Sequence, residues 1–330
     1  MSADEDAAAR PRIAILDDYQ SVALKMADWS AVERRAEVAV FHDHLADADA
    51  LAARLAPFDI VCVMRERTPL PRALVERLPR LRLIVSTGRR NASIDLKATA
   101  ERGIVVAPTG YSSTSTIELT WGLILAGARH IASENARLRA GAWQGALGRT
   151  LKGATLGVLG LGAIGGEVAR LGRAFGMEVL AWSQNLTSER AQAVGARLVG
   201  KDELLARADV LTIHLVLSAR TRGLIGAAEL ARMKPSALLV NASRGPIVEE
   251  AALVAALREG MISGAALDVF DEEPLPSGHP FRTLPNVLAT PHVGYVADSV
   301  YRIFYGDAVA AILAFLDGRP LPHPALTPRG

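Results

Sequence analysis

Three polar side chains stand just past apolar, β-rich runs in the second half of the chain. Arg244 follows Leu238–Asn241, Glu273 follows Gly264–Val269, and His292 follows Val287–Thr290. A guanidinium can grip a planar anion through two parallel hydrogen bonds, which an ammonium cannot do. An imidazole can give or take a proton near neutral pH. A carboxylate beside it can orient the ring and stabilise its charged form. Each residue also has a plainer reading: Arg244 as a surface ion pair, Glu273 as a solvated loop residue before Pro274, His292 as a turn residue after Pro291. The common placement favours chemistry, because ligands of an open parallel α/β sheet bind outside the carboxyl ends of its strands.

The element that sets this edge apart is Gly160-Leu161-Gly162-Ala163-Ile164-Gly165. It follows the strand-like run Thr155–Leu159 and opens a helical pattern reaching about Phe175, after which Glu178–Trp182 reads as the next strand. Gly160 permits the tight turn, Gly162 lets the backbone approach a pyrophosphate, and Gly165 lets helix and strand pack closely. The helix N-terminus then offers N–H groups to phosphate. An acid at the end of the second strand ordinarily binds the adenosine ribose. That place holds Ser183, followed by Gln184 and Asn185. The expected cofactor is therefore NAD(H) or NADP(H), with the choice open.

Around these motifs, strand-like and helix-like runs alternate twice. The first set reads as strands Ile13–Leu16, Val38–Phe41, Ile60–Val63, Leu83–Val85 and Ile104–Val106, with helical stretches such as Ala48–Leu55 and Arg72–Arg77. Pro108, Gly110 and the Ser/Thr cluster 112–116 mark a break, and one long helix is expected from Thr116 to about Ala140. The second set adds Arg197–Val199 and Val210–His214 to the strands already named, seven in all. A last helical pattern, Val300–Leu316, is too short for a domain and is expected to return to the first one. The fold class is α/β, with two doubly wound parallel sheets.

The 330 residues carry 37 Lys plus Arg against 35 Asp plus Glu, a formal net charge of +2, with half the residues apolar. No run of clustered Lys or Arg marks the sequence, so nucleic acid is not the expected partner. The segment Met1–Arg10 lacks the basic and apolar parts of a signal peptide and reads as a tail. The longest apolar run, near Leu119–Ala128, is about half of what a spanning helix needs. A cytoplasmic protein without membrane contact is expected. Cys62, the single cysteine, sits in an apolar strand and reads as core. No metal is expected, since His42 and His44 flanking Asp43 are more often solvated. Glu118 reads as a buried structural acid and Trp143 as a packing residue.

The segments LGVLGLGAIGGEVAR, NASRGPIVEE, GAALDVFDEEPLP and ATPHVGY, in this order, resemble the D-isomer-specific 2-hydroxyacid dehydrogenases. The resemblance implies hydride transfer between NAD(P)H and a small 2-oxo acid, giving a D-2-hydroxy acid. Arg244, Glu273 and His292 match the family's catalytic residues. Asp268 matches the acid that holds the nicotinamide carboxamide. Leu215 and Thr221, in a segment resembling the loop on the adenosine side, and Ala242, Ser243 and Gly294 join the glycine turn as cofactor contacts. Gly88 and Arg89 resemble the loop whose amides hold the substrate carboxylate, and Arg65 lies in a substrate-facing segment. The resemblance further implies a discontinuous, flavodoxin-like substrate domain of residues 1–108 plus 297–330, a Rossmann cofactor domain of 109–296 with the active site in the cleft between, and a homodimer formed through the cofactor domain. Two alternatives stay open. One is a formate- or phosphite-type dehydrogenase, against which Glu273 argues, because the formate type carries Gln there. The other is a dinucleotide-sensing binding protein or corepressor that keeps the same fold.

Overall fold

The computed structural model describes residues 10–328, and they fall into two compact units. Of the expected N-terminal tail only Arg10 lies among them. Its guanidinium donates to the carbonyls of Glu33 and Ala36.

One unit comprises the chain up to Ser112 together with the chain from Ala297 onward. Its strands are β1 (Arg12–Ile15), β2 (Glu37–Val40), β3 (Ile60–Val63), β4 (Leu83–Ser86) and β5 (Val105–Pro108). They pair in parallel in the order β2-β1-β3-β4-β5. Every residue of β3 and β4 is buried, as expected for central strands covered on both faces. The last helix, Asp298–Leu316, is long and apolar enough by composition to cross a membrane. Here Val300, Tyr301, Phe304, Tyr305 and Ile312 are buried, and the helix packs along β4. Beyond it the tail returns to the sheet, where the Leu326 N–H donates to the Val106 carbonyl at 2.8 Å.

The division falls after Ser112 rather than after Pro108. The reason lies in the last helix: Asp307 accepts the Gly110 N–H at 2.7 Å, and Phe304 stacks on Tyr111 with ring centroids 6.3 Å apart. Residues past β5 are thereby held to their own unit.

The second unit, Ser113–Val296, carries β6 (Thr155–Leu159), β7 (Glu178–Trp182), β8 (Arg197–Leu198), β9 (Val210–Ile213), β10 (Leu238–Asn241), β11 (Gly264–Leu267) and β12 (Val287–Ala289). All pairings are parallel, in the order β12-β11-β10-β9-β6-β7-β8. The chain winds outward from β6 to β8, then crosses back to β9, so the topological switch point lies between β6 and β9. Register aligns the strand ends: Leu159 pairs with Ile213, Ile213 with Asn241, Asn241 with Leu267, and Leu267 with Ala289. Residues 160, 214, 242, 268 and 290 consequently leave the sheet side by side.

One expected element is two. The single helix foreseen from Thr116 to about Ala140 is a pair, Thr114–Ala128 and Ile131–Arg139. The Ala128 carbonyl accepts the Arg149 N–H at 2.7 Å instead of an N–H one turn ahead, and His130 turns the chain with φ 53°. The two halves differ in burial. Trp121, Leu123 and Ile124 are core, whereas Ile131 and Leu138 are exposed. Trp143, expected to pack, is 75% exposed, and Glu118 faces solvent. Cys62 is buried in β3, and burial pushes its thiol up to about 12, far from a nucleophile.

Candidate active site

The glycines of the dinucleotide turn differ in the room around them. Gly160, at φ 101°, turns the chain out of β6, and a Cβ there would meet the His214 carbonyl at 2.8 Å. A Cβ on Gly165 would lie 2.0 Å from the Gly160 oxygen, so only glycine lets the helix Ala163–Ala174 start so close to the strand. Gly162 differs: a Cβ would meet nothing, and Gly162 and Ala163 are exposed. This open space lies over the first turn of the helix, whose N–H groups suit a pyrophosphate. Ile164 packs partly into the core behind it. On the flanks, Leu215 lies against the Gly160 turn, and the Ser243 hydroxyl donates to the Leu215 carbonyl at 2.5 Å. The Thr221 hydroxyl donates to the Val216 carbonyl at 2.7 Å and closes that loop. Ala242 packs partly against the core. Ser183 leaves β7 beside the turn, since the Gly160 N–H donates to the Trp182 carbonyl at 2.8 Å, and Gln184 is exposed.

Beyond the next strands, two loops are fastened to each other. His292 Nδ1 lies 2.5 Å from Glu273 Oε2, and Glu273 Oε1 accepts the Phe270 N–H at 2.9 Å. A carboxylate can only accept, so Nδ1 carries the hydrogen in this pair. His292 sits at φ 51°, a left-handed conformation that histidine adopts more readily than most residues. Such backbone holds only where its surroundings over-determine it. Asp268 does this: its Oδ1 accepts from Thr290 Oγ1 at 2.6 Å and from the Val293 N–H at 2.8 Å, and its Oδ2 accepts the Gly294 N–H at 2.8 Å. Burial pushes the Asp268 carboxyl up from its ordinary range, while those hydrogen bonds and nearby His292 pull the other way. Thr116, on the helix Thr114–Ala128, donates to the Gly294 carbonyl at 3.1 Å and braces the same turn.

Arg244 emerges from a turn shaped by Asn241. The Asn241 side chain donates to the Arg244 carbonyl at 3.0 Å and accepts the Ser243 N–H at 3.0 Å. The next residue, Gly245, has no room for a side chain, as a Cβ would lie 2.1 Å from the Phe270 carbonyl carbon. The Arg244 turn therefore rests directly on the segment that leads to Glu273. Asn241, Thr116, Thr290 and His214 were not singled out as site residues from the sequence. The one legible signal was Asn241 itself, a polar end to the apolar strand Leu238–Asn241. Burial holds the His214 imidazole down to about 4, although the residue keeps some surface exposure. Its Nε2 lies 2.9 Å from Thr212 Oγ1.

The five-strand unit holds the remaining residues expected from the sequence at its own carboxyl edge. The Gly88 N–H donates to Thr109 Oγ1 at 2.7 Å, so that amide is engaged within the fold rather than open to an anion. Arg89 is exposed. The Arg65 guanidinium lies on the Gly88 backbone, where a Cβ would come 1.9 Å from Nη1, and it stands 5.4 Å from the centre of the Tyr111 ring. Nearby, His44 Nδ1 is 3.1 Å from buried Asp17, and Asp43 is paired with Arg54. Among the described residues no group of three His, Cys, Asp or Glu side chains is placed to hold a metal ion.

The NAD-binding domain of the D-isomer specific 2-hydroxyacid dehydrogenases matches residues 121–294. The chain is 40% identical over 260 residues to the glyoxylate reductase of Aeropyrum pernix, covering 76% of this chain and 78% of that one. It is 44% identical over 239 residues to the D-3-phosphoglycerate dehydrogenase of Methanocaldococcus jannaschii, covering 71% of this chain but only 45% of that longer protein. Among solved structures, a phosphoglycerate oxidoreductase from Vibrio cholerae superposes with a TM-score of 0.89 at 39% identity, over 93% of this chain and 99% of the other. With the glycine turn, the ordered strand ends and these likenesses in agreement, the chain belongs to the D-isomer specific 2-hydroxyacid dehydrogenase family, as an NAD-dependent oxidoreductase acting on the couple of a 2-oxo acid and a D-2-hydroxy acid.

Proposed function

We propose that Arg244, Glu273 and His292 carry the chemistry of this reaction. The observation behind the proposal is the His292–Glu273 pair at 2.5 Å on a turn pinned by Asp268. With Nδ1–H given to Glu273, Nε2 is the atom that exchanges a proton with the substrate oxygen. When bound, the nicotinamide would supply the hydride that adds to C2 of the oxo acid in reduction. His292 Nε2 then gives the carbonyl oxygen its proton, so C=O becomes CH–OH. Glu273 offsets the positive charge while His292 is protonated. Arg244 binds the carboxylate and the adjacent oxygen with its fork. In oxidation the proton runs back to His292. Gly160, Gly162, Ala163, Ile164 and Gly165 hold the pyrophosphate, with Leu215, Thr221, Ala242, Ser243, Asp268 and Gly294 as further contacts.

Substrate-binding roles are proposed for Arg65, Gly88 and Arg89. Since the Gly88 N–H is engaged by Thr109, Gly88 serves by admitting the Arg65 guanidinium close to the backbone. The protein is proposed to be cytoplasmic and to work as a homodimer formed through the seven-strand unit. Ile131, Leu138, Trp143 and Leu147 are all more than half exposed on one stretch of that unit, which supports burial by a second copy.

The test is a panel of 2-oxo acids with NADH, with the product resolved on a chiral column. Turnover to the D-hydroxy acid is expected, and Arg244→Lys should raise KM for the oxo acid and lower kcat while NADH binding holds. NADH binding without turnover of any acid favours a dinucleotide sensor. Formate oxidation alone favours the formate-type reading.

A further inference from the structure

Resting on the function proposed above, we infer that His279 is a positioning residue for the proton-transfer pair, holding Glu273 in place against His292 from the other end of the loop between β11 and β12. That loop leaves β11 at Leu267 and reaches β12 at Val287. Phe270 and Glu273 lie in its first part, His279 and Phe281 in its second. The two parts are joined to each other. The rings of Phe270 and Phe281, both buried, have centroids 6.3 Å apart. Arg282 donates from Nε to the Pro276 carbonyl at 2.8 Å and from Nη2 to the Leu275 carbonyl at 2.5 Å. The His279 N–H donates to the Pro276 carbonyl at 3.1 Å.

His279 ties this loop to a neighbouring helix. Its Nδ1 accepts the Phe281 N–H at 3.2 Å, and its ring centroid lies 4.8 Å from that of Phe281. An N–H can only donate, so Nδ1 is bare and the ring hydrogen sits on Nε2. Nε2 donates to Glu250 Oε1 at 2.9 Å, at the start of the helix Glu250–Arg258. The tautomer is the reverse of that of His292, whose Nδ1–H faces Glu273. Both ring nitrogens of His279 are engaged and its side chain is 13% exposed, so it acts on the fold rather than on a substrate. The contacts run in one line. Glu250 holds His279, His279 holds Phe281, Phe281 packs on Phe270, and the Phe270 N–H donates to Glu273 Oε1 at 2.9 Å. The other carboxylate oxygen, Oε2, is the one beside His292 Nδ1. A carboxylate held by one oxygen presents the other in a fixed direction, and catalytic groups must be held to within about 0.5 Å. Near His279 and Glu250 stands Asp271, whose carboxyl is pushed up by burial and by Glu250, with Arg222 and His279 pulling it down. Of the two acids near His292, Asp268 is fastened to the 290–294 turn and Glu273 to Phe270, so a change at His279 reaches the imidazole through Glu273.

The experiment records kcat for reduction of the best oxo acid of the panel against pH, with the full chain and saturating NADH. Glu273→Gln sets the reference. Without the carboxylate the charged imidazole loses its partner, so the midpoint at which reduction fades moves to lower pH. His279→Ala should move the midpoint in the same direction and lower kcat about tenfold, comparable to losing the outer hydrogen-bond partner of a metal-bound histidine. NADH binding should stay near wild type. On the Glu273→Gln background, His279→Ala should move the midpoint no further, since changes along one line of contacts do not add. His279→Asn, whose Oδ1 can take the Phe281 N–H, should recover part of both losses. Glu250→Ala removes the partner of Nε2 without touching the loop, and it should shift the midpoint the same way by a smaller amount. A merely structural role would lower the amount of active protein and leave the midpoint where it is. A midpoint unmoved in His279→Ala, or in Glu250→Ala where the first variant does not fold, overturns the inference alone, and so does a shift that adds in full to that of Glu273→Gln. A Glu273→Gln profile equal to wild type overturns the proposed pair and this inference together.

Discussion

The carboxyl edges of the two sheets handle charge in opposite ways. In the seven-strand unit the polar groups are tied to one another: His292 to Glu273, Asp268 to three donors of the 290–294 turn, and Asn241 to both ends of the Arg244 turn. In the five-strand unit the loops after β3 and β4 are fastened by backbone and small polar groups, while Arg89 and Arg90 are exposed. The contrast matches two demands. Proton transfer needs an atom fixed to within a fraction of an ångström, and fixing comes from saturated hydrogen bonds. Attraction of an anion needs net charge, which mutual pairing would cancel.

The largest expected effect comes from breaking the tied edge. His292→Ala removes the proposed proton donor, and kcat for oxo-acid reduction should fall by about 10²–10⁴. NADH binding, followed by fluorescence, should stay close to wild type, because the Gly160–Gly165 turn does not depend on that ring. Near-normal turnover would take His292 out of the reaction. Weakened NADH binding together with slow turnover would show that the 290–294 turn had moved, and that the contrast between the edges is one of folding rather than chemistry.

The tied edge was also the legible one. Glycine spacing, strand alternation and the polar residues 244, 273 and 292 are all sequence-local, and each strand end announced itself by an apolar run that stops. Bonds between distant segments were not legible. Nothing in the run Thr114–Ala128 foretells that Thr116 will meet Gly294, and nothing near Asp268 in the sequence foretells that its oxygens accept from Thr290, Val293 and Gly294. The helix expected through Ala140 failed for a similar reason: its break is imposed by Arg149, about twenty residues ahead of the carbonyl that it captures. The five-strand edge was legible only through resemblance. Its arginines are scattered along the sequence, and only the pairing of β3 with β4 joins them.

A second measurement sharpens the contrast through His214, which packs against the glycine turn. Its pKa is held down to about 4 by burial, against about 6.5 in an unfolded chain. Between these values the unfolded state binds more protons, so stability falls as pH drops from about 6.5 to about 4 and is flat below. The loss from this one group is at most about 3–4 kcal/mol. Denaturant midpoints taken across that window should fall with pH, and His214→Gln should flatten the fall whatever its effect on stability at neutral pH. An unchanged slope in the variant would mean that His214 is protonated in the folded protein and that this edge is less sealed than its contacts imply.

The smallest expected effect concerns the one place where the seven-strand edge departs from its usual pattern. Ser183 leaves β7 beside the dinucleotide turn, where an acid ordinarily binds the ribose diol and repels a 2′-phosphate. Serine can bond a hydroxyl but repels nothing. Gln184 and Asn185 are neutral and exposed, and the Ser183 carbonyl accepts the Leu186 N–H at 3.0 Å, which folds the loop back on itself. Arg190, exposed on the short helix Ser188–Gln192, is the first cation to follow. The expectation is that NADPH is accepted beside NADH with weak discrimination. Ser183→Asp restores the repulsion and should shift the ratio of the two kcat/KM values towards NADH by about tenfold, or about 1.4 kcal/mol. The matching readout in direct titration is a loss of NADPH affinity with NADH affinity kept. Wild-type selectivity for NADH above about a hundredfold, twice that free energy, would assign the discrimination to another residue, and the neutral loop after β7 would then be a neighbour of the ribose rather than its judge.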